Sequence, residues 1–262
     1  MSVDHTAIAA QLEAAWTAAA PVEPLTDTVP GFDVSDAYRV QHAWTELRIG
    51  AGETIVGRKI GLTSAAVQAQ MNVDEPDYGT LWASRHLTTV GGRAAADASV
   101  FVAPRAEGEL AFLIGEPPPG PGVTIQQVLA ATEAVAPAIE IVDSRIRDWQ
   151  IRLPDTVADN ASYGAFAIGS WSRALAYEDL RTVGMMLELD GRPYSSGVGA
   201  AALGHPAAAV AWLLTKLHSL GIVTRSGDIV LSGALAAMAP VQAGSVVSLM
   251  VHRQPAVTIA FQ

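Results

Sequence analysis

The sequence predicts an α+β fold, a small helical lead followed by a strand-rich body, and three observations carry that prediction. Apolar residues recur at helical spacing in the first fifty residues or so. From about residue 87 onward, short apolar runs are separated by Gly, Pro and Asp, as in strands and turns. Strands and helices do not alternate regularly, and no G-x-G-x-x-G or G-x-x-x-x-G-K follows a strand, which excludes dinucleotide-binding and phosphate-loop architectures. The division this implies is a mainly helical part over residues 1–86 and a strand-rich body over 87–262.

Asp4 or Thr6 can cap a first helix carrying Ile8, Leu12 and Trp16, and Pro21 and Pro24 break it. Ser35 is the expected cap of a second helix with Tyr38, Val40, Trp44 and Leu47 on one side, closed near Gly50 and Gly52. Residues 55–60 read as a strand, 64–71 as a short helix and 74–78 as a Pro-containing turn. In the body the strand candidates are 99–102, 107–114, 138–142, 164–168, 185–189, 229–231, 246–251 and 257–261, with Asp190-Gly191 as a hairpin turn. Two helices interrupt them. Thr124 and Gln127 form a capping box that opens residues 125–135, which Pro137 ends, and His205-Pro206 opens 207–219, with Gly221 as the stop.

Composition limits the function. Sixteen Lys and Arg against 26 Asp and Glu give a net charge of −10, the wrong sign for a nucleic-acid backbone or an anionic lipid surface. Half the residues are apolar, enough for a sizeable core. No cysteine is present, so disulfides, thiolate metal sites and a Cys nucleophile are excluded, and a reducing compartment is expected. The first residues lack a basic segment followed by an apolar one, and Gly204-His205-Pro206 and Thr215-Lys216 interrupt the longest apolar stretch. The expectation is a cytoplasmic protein without nucleic-acid or membrane partners.

The strongest chemical signal is Glu107-Gly108-Glu109 at the head of an apolar strand. The strand period of two places both carboxylates on one face, where they repel unless both are solvated or a cation lies between them. Glu140 lies inside the apolar run Ala138-Ile139-Glu140-Ile141-Val142, and a bare buried carboxylate costs several kcal/mol. Its partner is either Arg145, near in sequence, or the same cation. Three carboxylates on two strands suit a hard ion such as Mg²⁺ or Mn²⁺, with positions left for a chelating substrate and water. Lys59, with Lys216 the only lysines in the chain, follows Gly57-Arg58 in a strand. It is either an inward group that binds a carboxylate or moves a proton, or a solvated strand end. Asp159-Asn160 reads as an Asx-rich turn or as groups that orient water, and His205 as a helix cap. No nucleophile elbow supports a serine hydrolase.

Taken in order, the segments 57–64, 73–79, Glu107-Gly108-Glu109, 140–146, 155–162, Leu203-Gly204-His205-Pro206 and Leu231-Ser232-Gly233 resemble the 2-keto-4-pentenoate (2-hydroxypenta-2,4-dienoate) hydratases of aromatic meta-cleavage pathways. With the 4-oxalocrotonate decarboxylases these belong to the fumarylacetoacetate-hydrolase-like superfamily. The resemblance runs from about residue 30 to the end. It implies a mixed β-roll body and Glu107, Glu109 and Glu140 as ligands of Mg²⁺ or Mn²⁺. It carries Lys59 and Asp77 over as catalytic residues, and Leu62, Asp159, Ser162, Ser232 and Gly233 as substrate-binding ones. The implied reaction is metal-dependent addition of water to the small anionic dienoate, giving 4-hydroxy-2-oxopentanoate. Decarboxylation of 4-oxalocrotonate is the alternative, and a non-catalytic dicarbonyl binder or scaffold a third reading. A homo-oligomer, pentamer or decamer, and association with other pathway enzymes are implied as well. One departure is the run Ala234-Leu235-Ala236-Ala237, where many relatives carry a Thr.

Overall fold

The computed structural model describes residues 3–64, 67–69 and 73–262. Helix α1 (His5–Ala18) starts at Asp4, whose carboxylate accepts from the Ala7 amide at 3.0 Å. A single turn, α2 (Leu25–Thr28), leads to α3 (Val34–Gly50). Its cap is Asp33, accepting from the Asp36 amide, two residues before the expected Ser35. Asp is as good a cap as Ser, and the earlier start brings Ala37 onto the buried face with Val40 and Trp44. Trp16 of α1 meets Trp44 edge to face at 5.9 Å, joining the two helices.

Strand β1 (Ile55–Gly61) follows as expected, and residues 67–69 are helical, while 65, 66, 70 and 71 of the short helix expected over 64–71 lie outside the described residues. The expected turn over 74–78 ends early, because Asp77 and Tyr78 begin β2 (Asp77–Trp82). Every residue of β2 is buried and paired with β1, so tertiary burial overrides the weak strand preference of Asp and Gly. The short strands β3 (His86–Leu87) and β4 (Arg93–Ala96) come next. Residues 99–102 are not a strand: Asp97 caps a single 3₁₀ turn at Ala98–Val100, accepting from the Ser99 amide.

Strand β5 (Arg105–Ile114) is long, and α4 (Ile125–Ala131) opens on the predicted capping box. That helix stops four residues early, and β6 (Thr132–Val142) takes over. Pro137 therefore sits inside a strand. Its carbonyl accepts from Gly169 N at 2.8 Å, on the side where β7 (Tyr163–Ile168) has just ended. N and O of a strand residue point the same way, so the missing N–H falls where no ladder partner waits. The polar stretch before it contains an unpredicted helix, α5 (Leu153–Ala158), with Pro154 in its first turn. The hairpin β8 (Gly184–Leu189) and β9 (Arg192–Val198) turns at Asp190-Gly191 as expected. Then come α6 (Pro206–Ser219), β10 (Ile229–Leu231), β11 (Ala239–Pro240), β12 (Val246–Val251) and β13 (Val257–Phe261).

The strands form a curled mixed sheet in the order β2-β1-β10-β5-β6-β7-β3, with β11 also on β5, and a second sheet β4-β13-β12-β8-β9. Residues 55–82 thus add two strands to the sheet built by β5, β6 and β7. Alternation assigns the faces of the first sheet. Leu110, Phe112, Ile139 and Ile141 face a core shared with the second sheet and α6. Burying Val210, Leu213, Leu214 and Leu217 of α6 there stabilises the fold by about 1.5–3 kcal/mol each. Ala111, Ala136 and Ala138 face the other core, under α1 and α3. Glu107, Glu109 and Glu140 share the parity of these alanines, whose small side chains leave room for a pocket.

Candidate metal centre and active site

Register brings the three carboxylates together. Glu107 lies directly opposite Glu140 across the β5–β6 ladder, with Glu109 two residues along the same face. One carboxylate oxygen from each lies within 4.8 Å of the others. Gly108 between them faces the opposite core, where a Cβ would meet Leu249 Cδ1 at 2.7 Å and Met185 Cε at 2.8 Å. Glu109 and Glu140 are fully buried and Glu107 is half-buried at the pocket wall. Like charges directly opposite on a sheet destabilise it. Burial first, and then Glu140, pushes Glu107 up to about 7, and the same two causes hold Glu109 well above the usual carboxylate range.

The surroundings do not relieve this charge. Glu109 Oε2 accepts from Gly233 N at 2.7 Å, but among the described residues its Oε1 and both oxygens of Glu140 have no hydrogen-bond donor. Lys59 Nζ is 3.1 Å from Glu140 Oε1, an ion pair set off the axis of a hydrogen bond. Burial works against the ammonium, yet Glu140, Asp77, Glu107 and Glu109 outweigh it, and the Lys59 pKa is raised. Three clustered carboxylates, two of them with orphaned buried oxygens and with no nitrogen or sulfur group in the cluster, fit a hard divalent cation.

Lys59, Asp77 and Glu107 line a cavity of about 770 Å³, in the range of small-molecule sites. Gly61 makes the Asp77 position possible: a Cβ there would lie 2.1 Å from Asp77 Oδ1 and 3.6 Å from Lys59 Nζ. Asp77 Oδ1 is buried without a partner among the described residues. Burial pushes this carboxyl up to about 6, against the pull of Lys59. Leu62, in a left-handed conformation (φ 56°), and Ser162 also line the cavity. Ser162 ends three successive left-handed non-glycine residues, Asn160, Ala161 and Ser162. Such a run stores strain, on the order of 1–3 kcal/mol per residue. Asn160 holds it by clasping β2, accepting from Thr80 N at 2.7 Å and donating to Thr80 O at 2.9 Å.

The remaining candidates are placed differently. Asp159 is not among the lining residues. Its carboxylate accepts from Arg145 Nε at 2.6 Å and from Arg145 N at 2.9 Å, fully buried. Arg145 is therefore the partner of Asp159, not of Glu140, and its Nη groups donate to the carbonyls of Asp143, Asp159 and Tyr163. Ser232 and Gly233 lie behind the lining, where Gly233 (φ 94°) presents its amide to Glu109, and a Cβ on it would strike Thr63. His205 caps α6 through Nδ1, as expected. Thr156, Arg105 and Trp149 line the cavity without having been singled out in the sequence. For Arg105 the signal was present, since it precedes Glu107 by one strand period.

Comparison with known proteins identifies the family and the fold. Residues 54–260 match the family described as fumarylacetoacetate (FAA) hydrolase C-terminal. The chain is 44% identical to the 2-hydroxyhexa-2,4-dienoate hydratase of Comamonas testosteroni over 96% of this chain and 95% of that one. It is 43% identical to the 2-keto-4-pentenoate hydratase of Paraburkholderia xenovorans (strain LB400), over 92% and 89%. Its backbone is similar to the 4-oxalocrotonate decarboxylase from Pseudomonas putida G7, solved with magnesium and adipate, with a TM-score of 0.93, 33% identity and coverage of 98% and 97%. By motif order, fold and these relationships, the chain belongs to the fumarylacetoacetate hydrolase family, in the branch of the 2-keto-4-pentenoate hydratases and 4-oxalocrotonate decarboxylases.

Proposed function

We propose that this chain is a hydro-lyase of aromatic meta-cleavage catabolism. It adds water to 2-hydroxypenta-2,4-dienoate (2-keto-4-pentenoate) to give 4-hydroxy-2-oxopentanoate, with Mg²⁺ or Mn²⁺ as cofactor. The observation that carries the reading is the packing of Glu107, Glu109 and Glu140 within 4.8 Å of one another beside Lys59, with one buried oxygen of Glu109 and both of Glu140 lacking a donor among the described residues. These three carboxylates would hold the cation. When bound, it supplies a Lewis acid for the oxygens of the 2-hydroxy acid.

The chain's own groups divide the remaining work. Lys59 stays an ammonium because the carboxylates around it raise its pKa, so it stabilises negative charge on the C2 oxygen rather than abstracting a proton. Asp77, at about 6 and with a free Oδ1, is the proton carrier. It accepts the C2 hydroxyl proton and returns it to C5, giving 2-oxopent-3-enoate. It then accepts a proton from the water that attacks C4 and delivers it to C3, so that H₂O is added across C3–C4. The hydroxyls of Ser162 and Thr156, 3.2 Å apart at the wall, orient that water. The family resemblance extends the proposal to a cytoplasmic homo-oligomer, a pentamer or decamer.

Similarity to the decarboxylase structure supports a second reading, in which the same groups stabilise the dienolate left by loss of CO₂. The Mg²⁺-loaded protein is incubated with 2-hydroxypenta-2,4-dienoate and with 4-oxalocrotonate, following dienol absorbance and CO₂. Dienol loss without CO₂ from either substrate is expected. CO₂ release from 4-oxalocrotonate overturns the hydratase assignment, and inactivity with both leaves a binding protein.

A further inference from the structure

The carboxylate face of β5 extends beyond Glu107. Arg105 lies on the same face, about 6.6 Å further along the strand, and Val142, its partner on β6, lines the cavity beside it. The guanidinium is placed over the Trp149 ring, 4.2 Å from its centroid. Trp149 is itself fixed: Nε1 donates to the Ala103 carbonyl at 3.0 Å, and the backbone of Asp148 and Trp149 is left-handed (φ 55° and 56°).

Among the described residues, no carboxylate lies within ion-pair distance of Arg105, and its one side-chain hydrogen-bond contact is a weak one, Nη1 to Met238 Sδ at 3.7 Å. Asp148, on the rim, is solvent-exposed and makes no ion pair with it. Lys59, the other cation lining the cavity, is paired with Glu140, at the end of the carboxylate cluster away from Arg105. A guanidinium has five donors in a planar fork that matches a carboxylate. Pinned against a ring over a cavity, it is a preorganised anion receptor.

We propose that Arg105, held against Trp149, binds the C1 carboxylate of the substrate and so fixes the direction in which the dienoate lies. The inference rests on the reading of the cavity as a 2-hydroxy-dienoate site. There the C1 and C2 oxygens belong with Glu107, Glu109 and Glu140, the C2 oxygen on the side of Lys59, and the reacting carbons C3 to C5 belong with Asp77. Lys59 approaches the carboxylate cluster at Glu140, while Arg105 flanks it at Glu107, along β5. The terminal carboxylate therefore faces Arg105. The same placement explains how a pocket holding Glu107, Glu109, Glu140 and Asp77 accepts an anion.

The test uses 2-oxopentanoate, an unreactive acid with the same C1 and C2 oxygens, and its neutral amide, 2-oxopentanamide. Binding of each to Mg²⁺-loaded wild type, Arg105→Met and Arg105→Lys is measured by calorimetry, with Mg²⁺ affinity and thermal melting followed separately. Arg105→Met is expected to weaken the acid by about 10- to 100-fold, the worth of a charge-assisted hydrogen bond, and to leave the amide and Mg²⁺ affinity near wild type. Arg105→Lys, which keeps the charge and loses the fork, falls between. Equal loss for acid and amide means packing on Trp149 only and overturns the proposal, as does an unchanged acid affinity. A loss confined to 2-oxoadipate, which carries a second carboxylate at its far end, also overturns it. A wild type that fails to hydrate the dienoate removes the proposed reaction, whereas the acid-amide difference is read independently of turnover.

Discussion

Glu107→Gln is expected to stabilise the metal-free protein while abolishing its divalent-cation site. One carboxylate oxygen from each of Glu107, Glu109 and Glu140 lies within 4.8 Å of the others. Two unit charges at that separation repel by about 3 kcal/mol at an effective dielectric constant of about 20. The raised pKa, caused first by burial and then by Glu140, gives a combined penalty of the same order. Raising Glu107 from an ordinary 4.5 to about 7 corresponds to a folded-state penalty on the order of 3 kcal/mol once the group is ionised. A carboxyl with a raised folded pKa binds more protons folded than unfolded between those two values, so stability falls as pH rises. The penalty is absent below about 4.5, grows towards about 7 and is complete above it. Glutamine removes it without stranding a cation, because Lys59 pairs with Glu140. Thermal and urea unfolding of the metal-free proteins at pH 8 and pH 5, with and without Mg²⁺, supplies the assay. At pH 8 the variant should melt higher, by about 6–12 °C for a gain near 3 kcal/mol. At pH 5 the two proteins should nearly coincide, and Mg²⁺ should stabilise wild type alone. A destabilised variant at pH 8, or a gain independent of pH, would refute the like-charge account of this centre.

Other consequences follow from named contacts. Mg²⁺ affinity, measured by calorimetry, should fall as pH drops from 8 to 6, by about tenfold per pH unit for each proton displaced, because Glu107 and Glu109 hold protons above the usual carboxylate range. A flat profile would mean that these carboxyls are not the ligands. Asp159→Asn should cost about 3–5 kcal/mol in urea unfolding, since it leaves the buried Arg145 guanidinium without its anion. Retained stability would put Asp159 to some other use. Gly61→Ala should lower kcat by about 100-fold with Mg²⁺ affinity kept, because the new Cβ displaces the Asp77 carboxyl from beside Lys59. Unchanged turnover would remove Asp77 from the reaction.

Much of the centre was legible before any coordinates. Period two alone places Glu107 and Glu109 on one face, and the cost of a bare carboxylate in an apolar run marks Glu140 as needing a partner. Caps and turns with local chemistry, Asp4, Thr124 with Gln127, Asp190-Gly191 and His205, stand where they were expected. The misplaced elements share a cause. The switch from α4 to β6 at Thr132 and the start of β2 at Asp77 are decided by ladder partners distant in sequence, not by local propensity.

The amino-acid sequence already carries the candidate chemistry: three carboxylates suited to a hard cation, no cysteine, one lysine in the motif that precedes them, and an acidic chain for which a cation would help to hold an anion. Which charged group pairs with which follows from the fold. It gave Lys59 to Glu140, Arg145 to Asp159 rather than to Glu140, and left Arg105 over Trp149 with no acid of its own. The reason is physical. A side chain's face follows from backbone geometry within a few residues, whereas a buried charge is neutralised by whichever group the curled sheet carries within a few ångströms of it.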